Sequence, residues 1–134
     1  MAFVDELFAA LMSWAVTLSG YPAPAHMPEV RRISHEQLER LACDSKPCKV
    51  IGWHPPGDII YIDSRLDLTG DIFADSIVVH EMVHFLQEKA GAYTLGCAAS
   101  IGAEREAYTV QREFLVRYGD WRPAGATVHG TGCQ

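Results

Sequence analysis

Apolar residues near the start of the chain recur at helical spacing. Phe3, Leu7, Leu11, Trp14 and Leu18 fall three or four residues apart, which places them on one face of a helix over 3–19 docked against a core. Gly20, Pro22 and Pro24 then make a stiff connector. Residues 29–33 alternate and predict a strand. Ser34 followed three residues later by Gln37 is a capping box that opens a helix running to about Cys43. Residues 49–53 and 59–62 are β-prone runs flanking His54-Pro55-Pro56-Gly57-Asp58, so 49–63 reads as a hairpin. Together these elements predict a small, mostly antiparallel sheet.

The next segment behaves differently. From about Asp71 to Ala90, apolar residues occupy most faces of a helical projection, and Gly91 is a natural stop. A helix apolar nearly all round belongs inside the domain. Another helix is expected from about Ser100 to Tyr118, ending at Gly119. The tail over 120–134 carries Pro123, Gly125, Gly130 and Gly132 with no periodicity, and is expected to be irregular. The pattern as a whole is α+β.

Composition narrows the class. The chain has 134 residues, 49% hydrophobic and 21% charged, which suits one globular domain over 1–134. The net charge is −6, with no basic cluster beyond Arg31 and Arg32, so nucleic acid is not an expected partner. Asp5 and Glu6 precede any Lys or Arg. That argues against a targeting segment, and the first helix is too short and polar for a membrane span. Met1 could also be what remains after a removed leader. The four cysteines, Cys43, Cys48, Cys97 and Cys133, favour disulfides and an extracytoplasmic location over free thiols. Cys43 and Cys48 bracket a turn-rich stretch, and Cys97 with Cys133 would then tie down the tail.

The chemistry is concentrated in the buried helix, at His80-Glu81-Met82-Val83-His84. This is an HExxH motif. Residues at i and i+4 lie one turn apart on the same face, so both imidazoles can reach one ion, and Zn²⁺ accepts such nitrogens. Glu81 is rotated off that line toward the open side of the ion, where it can take a proton from a water activated by the metal. The flanks, Ile77 to Val79 and Phe85 to Leu86, are apolar. Two histidines and a glutamate in such a setting need a reason to be buried.

The third ligand is not in the motif. An HExxHxxGxxH pattern would need glycine and histidine where Gln87 and Ala90 stand, so the metzincin branch is excluded. Glu104 heads Glu104-Arg105-Glu106-Ala107-Tyr108 in the following helix. Over roughly residues 50–118 the chain resembles the gluzincin branch of zincin metallopeptidases, whose ligand glutamate often starts an ExxA pattern. The resemblance implies a zincin-like fold, with a small sheet packed on the HExxH helix and a second helix delivering Glu104. It also implies that Ala107 lets the two helices approach. Glu106, the rival, points to another helix face. Where the family often has an aspartate that orients a ligand histidine, this chain has Tyr108. Its phenol could accept an imidazole N–H or stabilise an oxyanion.

Blander readings apply elsewhere. His26, His35 and His54 are isolated and read as surface or loop residues. His129, in the tail, reads as structural, with a substrate-side role as the alternative. Trp53, Tyr61 and Tyr93 read as core or rim. Residues 58–63 are either an ordinary hairpin strand or an edge that pairs with an extended peptide. Asp71 and Asp75 suit a helix N-terminus electrostatically. The leading expectation is a zinc metallopeptidase acting on a peptide or protein substrate. His80, His84 and Glu104 would hold the metal, Glu81 would be the base, and Tyr108 or His129 would assist. The alternatives are a non-catalytic zinc-binding or partner-recognition module, and a structural domain without metal.

Overall fold

A computed structural model describes residues 2–93 and 96–125, and the side chains of all of these except 2–4 and 97. The elements run α1 (Ala2–Ser19), β1 (Glu29–Ile33), α2 (His35–Ala42), β2 (Gly52–Trp53), β3 (Ile59–Asp63), α3 (Ile72–Ala90) and α4 (Cys97–Arg117). The chain is therefore α+β. The cap expected at Ser34 is present in full: its hydroxyl accepts from Gln37 N–H at 3.2 Å, and Gln37 Oε1 accepts from Ser34 N–H at 3.1 Å. Asp71 caps α3 by accepting from Phe73 N–H at 2.9 Å. Gly91 ends α3 in the left-handed region at φ 69°, where a side chain would be disfavoured.

The sheet differs from expectation. Its order is β1-β3-β2. β1 runs parallel to β3 over five pairs, from Glu29 opposite Ile59 to Ile33 opposite Asp63. Only the short β2 is antiparallel, pairing Gly52 with Ile62 and Trp53 with Tyr61. The sheet is thus mixed rather than mostly antiparallel. The reason is α2, which carries the chain between β1 and the hairpin and lets β3 return beside β1 in the same direction. β3 is consequently the central strand, so 58–63 cannot be an edge for an incoming peptide. The edge strands are β1 and β2.

The core lies between the sheet and three helices. Ile60 and Ile62 of β3, Leu11 and Ala15 of α1, Phe114 of α4 and the apolar residues of α3 form one cluster. α3 is buried continuously from Ala74 to Val83, which is what its all-round hydrophobicity demanded. α4 begins at Cys97, three residues earlier than expected.

Around α2 the structure corrects a further reading. His35 is half-buried, not a loop residue. Its Nδ1 lies 3.0 Å from Asp63 Oδ2 and its Nε2 3.1 Å from the Cys48 carbonyl. Arg65 hydrogen-bonds the same Asp63 and, with burial opposing, holds its carboxyl down to about 2. A Cys43–Cys48 disulfide closes the loop between α2 and β2, which is compatible with an oxidising, extracytoplasmic compartment. The Cys97–Cys133 pairing and His129 lie outside the described residues and side chains. Among the described residues no helix is long and apolar enough to cross a membrane.

Asp75 also departs from its simple reading. It is buried on α3, and its Oδ1 has no hydrogen-bond partner among the described residues. Burial, with the charges of Asp71 and Asp67, pushes its carboxyl up from 3.8 to about 6. A raised folded-state value favours the protonated form, so its contribution to stability is present below the unfolded value and is lost as pH rises through about 6. Asp75→Asn should therefore raise stability by about 1 kcal/mol near neutral pH, where the orphaned charge is removed. The gain should disappear near pH 4, as read by thermal unfolding across that range.

Candidate metal centre

His80, Glu81 and His84 come from the buried middle of α3, and Glu104 from α4, which packs against it. Ala107, on the same side of α4 as Glu104, is fully buried and allows the close approach. His80 Nε2 and His84 Nε2 lie 3.2 Å apart. Glu104 Oε1 is 3.0 Å from His80 Nε2 and also contacts His84 Nε2. These three ligand atoms lie within 4.8 Å of one another and form a group that can hold a metal ion. A tetrahedral cation with imidazole nitrogens at about 2.0–2.1 Å would separate its ligand atoms by about 3.3 Å, which matches the two Nε2 atoms and requires the Glu104 carboxylate to move outward from His84 as the ion enters.

The proton positions follow from the surrounding hydrogen bonds. Gln87 donates its amide N–H groups to the Ala103 carbonyl at 2.9 Å and to Glu106 Oε1 at 3.0 Å. A carbonyl oxygen can only accept, so the NH₂ end of Gln87 must face it. Gln87 Oε1 therefore faces His84 Nδ1, at 2.8 Å, and Nδ1 must carry the proton. The same logic holds on the other side. Ser76 Oγ donates to the Phe73 carbonyl at 2.6 Å, so it accepts from Gln111 Nε2 at 3.0 Å. Gln111 Oε1 then accepts from His80 Nδ1 at 3.0 Å. Both imidazoles are fixed as Nδ1–H tautomers whose Nε2 lone pairs point at Glu104.

Two lone pairs and a carboxylate converging on one point repel unless positive charge lies among them. In the protein alone that charge is a proton. Burial pulls the His84 imidazole down, but the Glu104 hydrogen bond and the nearby Glu81 and Glu104 charges overcome it and raise it to about 9. Glu104, although burial opposes this, is held well below the usual carboxylate range by the two histidines. A divalent cation meets the same demand with twice the charge.

Sequence reasoning missed the two glutamines and misplaced the orienting role. Gln111, not Tyr108, accepts the His80 N–H. Tyr108 instead packs edge-on against His80, with ring centroids 4.3 Å apart. The signal was available: Gln87 follows His84 at i+3, and Gln111 follows Glu104 by two turns on one face. Glu106 faces away from the centre. It accepts from Gln87 and from Tyr21 Oη at 2.5 Å. At Gly125, φ is +76° and a Cβ would stand 2.2 Å from Tyr108 Cγ. The backbone at Gly125 therefore lies flush on the Tyr108 ring, which packs against His80.

Glu81 is only 6% exposed, yet among the described residues no hydrogen bond engages its carboxylate. It lines a cavity of about 650 Å³ with His84, His54 and Trp53, and a second of about 250 Å³ with His80 and Tyr108. Both cavities also touch Gly52 and Glu104. A Cβ at Gly52 would come within 3.1 Å of Glu81 Oε2 and 3.0 Å of Ile77 Cγ2, so a side chain at residue 52 would press on the Glu81 carboxylate. His54, read as isolated, is a wall of the larger cavity. It bonds the Gly57 carbonyl at 2.9 Å and packs edge-on against Phe85.

No protein-family model, no curated protein and no solved structure matches this chain.

The glutamine relays generate a test. Gln111→Leu removes the acceptor for His80 Nδ1–H and should weaken divalent-cation affinity by about 10–100-fold. Gln111→Glu retains an acceptor and should weaken it less. Chelator competition at fixed pH measures both, with circular dichroism to verify folding.

Proposed function

We propose that this chain is a zinc-dependent hydrolase of peptide bonds, with zinc held by His80, His84 and Glu104 and with Glu81 as general base. The observation that carries this reading is the convergence of two locked Nε2 lone pairs and the Glu104 carboxylate beside a buried, unengaged Glu81 in the wall of an open cleft. The donor set of two imidazoles and one carboxylate suits zinc and leaves a position open. A bound zinc ion supplies a water with its pKa lowered toward about 7 and polarises a carbonyl oxygen.

The chain's own groups do the rest. Glu81 follows His80 in α3, so its carboxylate is rotated toward the cleft, where it accepts the proton of the attacking water. It then returns that proton to the leaving amine. Tyr108 lines the smaller cavity with Glu81 and Glu104, and its phenol would supply a hydrogen-bond donor to negative charge developing on the substrate oxygen. The open edge of β2 beside Glu81 offers backbone groups to an extended chain, which supports a peptide as substrate. A cation-binding module without chemistry would need neither an unengaged Glu81 nor an open cleft. The Cys43–Cys48 bridge supports placing the activity outside a reducing cytoplasm.

Purified protein should contain about one zinc ion per chain, set by the one three-ligand group among the described residues. Glu81→Gln should lower peptide hydrolysis by about 10²–10⁴-fold while zinc content stays as in the parent. Elemental analysis and a fluorogenic peptide assay read the two quantities. Turnover unchanged in Glu81→Gln would refute the assigned role.

A further inference from the structure

The larger cavity has a charge pattern of its own. Its lining includes Glu81, Glu88 and Glu104 but no lysine or arginine. A divalent cation at the triad balances Glu81 and Glu104 and leaves Glu88 over. Glu88 lies one turn past His84 on α3, and both its oxygens accept the Gly57 N–H at 3.1 Å. A single amide does not neutralise a carboxylate. Lys89 Nζ approaches Glu88 Oε1 only to 3.9 Å, while it binds Asp58 Oδ1 at 2.6 Å. One ammonium shared between two carboxylates leaves net negative charge at the cavity.

The walls are aromatic and held in place. Trp53 stacks on Tyr61 with centroids 5.8 Å apart. Tyr93 has φ 54°, a left-handed conformation disfavoured for a residue with a side chain. Its ring lies on Gly102, where a Cβ would meet Cε1 at 2.9 Å, and its hydroxyl reaches Glu106 Oε2 at 3.5 Å. Flat aromatic faces and a surplus carboxylate in one cavity match a side chain with an aliphatic stem and a cationic head. Glu81, buried and unengaged, looks into the same space.

Building on the hydrolase reading above, we infer that this cavity is the subsite for a lysine or arginine side chain of the substrate, with Glu88 as its specificity-determining carboxylate. The substrate class is then a basic peptide. The net charge of −6 would draw such a peptide toward the protein.

The test reads binding without turnover. Full-length, zinc-loaded Glu81→Gln protein is titrated with fluorescein-labelled alanine hexapeptides that carry one Lys, Leu or Glu at each position in turn. At one position the Lys peptide should bind about tenfold more tightly than the Leu peptide, and the Glu peptide more weakly still. Adding Glu88→Gln, which keeps an acceptor for Gly57, should bring the Lys-to-Leu ratio to about one, with the melting midpoint and zinc content of the Glu81→Gln parent retained. Equal binding of Lys and Leu peptides at every position overturns the inference. So does a Lys preference that survives Glu88→Gln, and so does no binding of any peptide. Cleavage of the same peptides by the parent protein separates the two claims. Turnover without charge preference sinks the subsite and leaves the hydrolase. Glu88-dependent Lys binding without any turnover supports the subsite and sinks the hydrolase.

Discussion

The site depends on the direction in which a few hydrogen bonds run. Two backbone carbonyls, those of Ala103 and Phe73, can only accept. From the first, the constraint passes through the Gln87 amide to His84. From the second, it passes through the Ser76 hydroxyl and the Gln111 amide to His80. In each case the imidazole is left with its proton on Nδ1 and its lone pair facing Glu104. No charge is spent in either relay. The backbones of α3 and α4 thus fix which ring nitrogen of each imidazole faces Glu104.

The same constraint explains how α3 tolerates burial. A helix buried along most of its length is a poor place for His80, His84 and Gln87, because unpaired polar groups inside a protein are costly. α4 supplies what they lack, through Glu104, Gln111, Glu106 and the Ala103 carbonyl. The α3–α4 pairing is therefore both packing and polar satisfaction, and neither helix would be stable in this position alone. Asp75, like the unengaged Glu81, is an exception. It lies off the α4 network, its Oδ1 has no partner among the described residues, and its carboxyl holds a proton more tightly as a result.

Features set by neighbouring residues were legible in the sequence. The Ser34 cap, the Asp71 start and Gly91 stop of α3, and the i, i+4 pairing of His80 with His84 each involve residues within a turn or two. Features that join distant segments were not. The parallel β1–β3 ladder requires knowing that α2 is a crossover, and the patterns of 29–33 and 59–63 carry no sign of strand direction. His35 looked isolated because Asp63 and the Cys48 carbonyl reach it only through the fold. Gln111 was hidden for the same reason, and Tyr108 was assigned its role because it occupied the position where an aspartate is common in gluzincins. The C-terminal expectations, for His129 and the Cys97–Cys133 pairing, concern positions outside the described residues and side chains.

Gly125 under Tyr108 has a consequence on a longer timescale. The glycine's missing side chain and the phenol ring occupy one another's space, and the ring is what covers His80. A lineage that gains a side chain at the first position must shrink or move the second. These two positions should therefore co-vary across descendants of this chain, a fingerprint that a chance HExxH lacks.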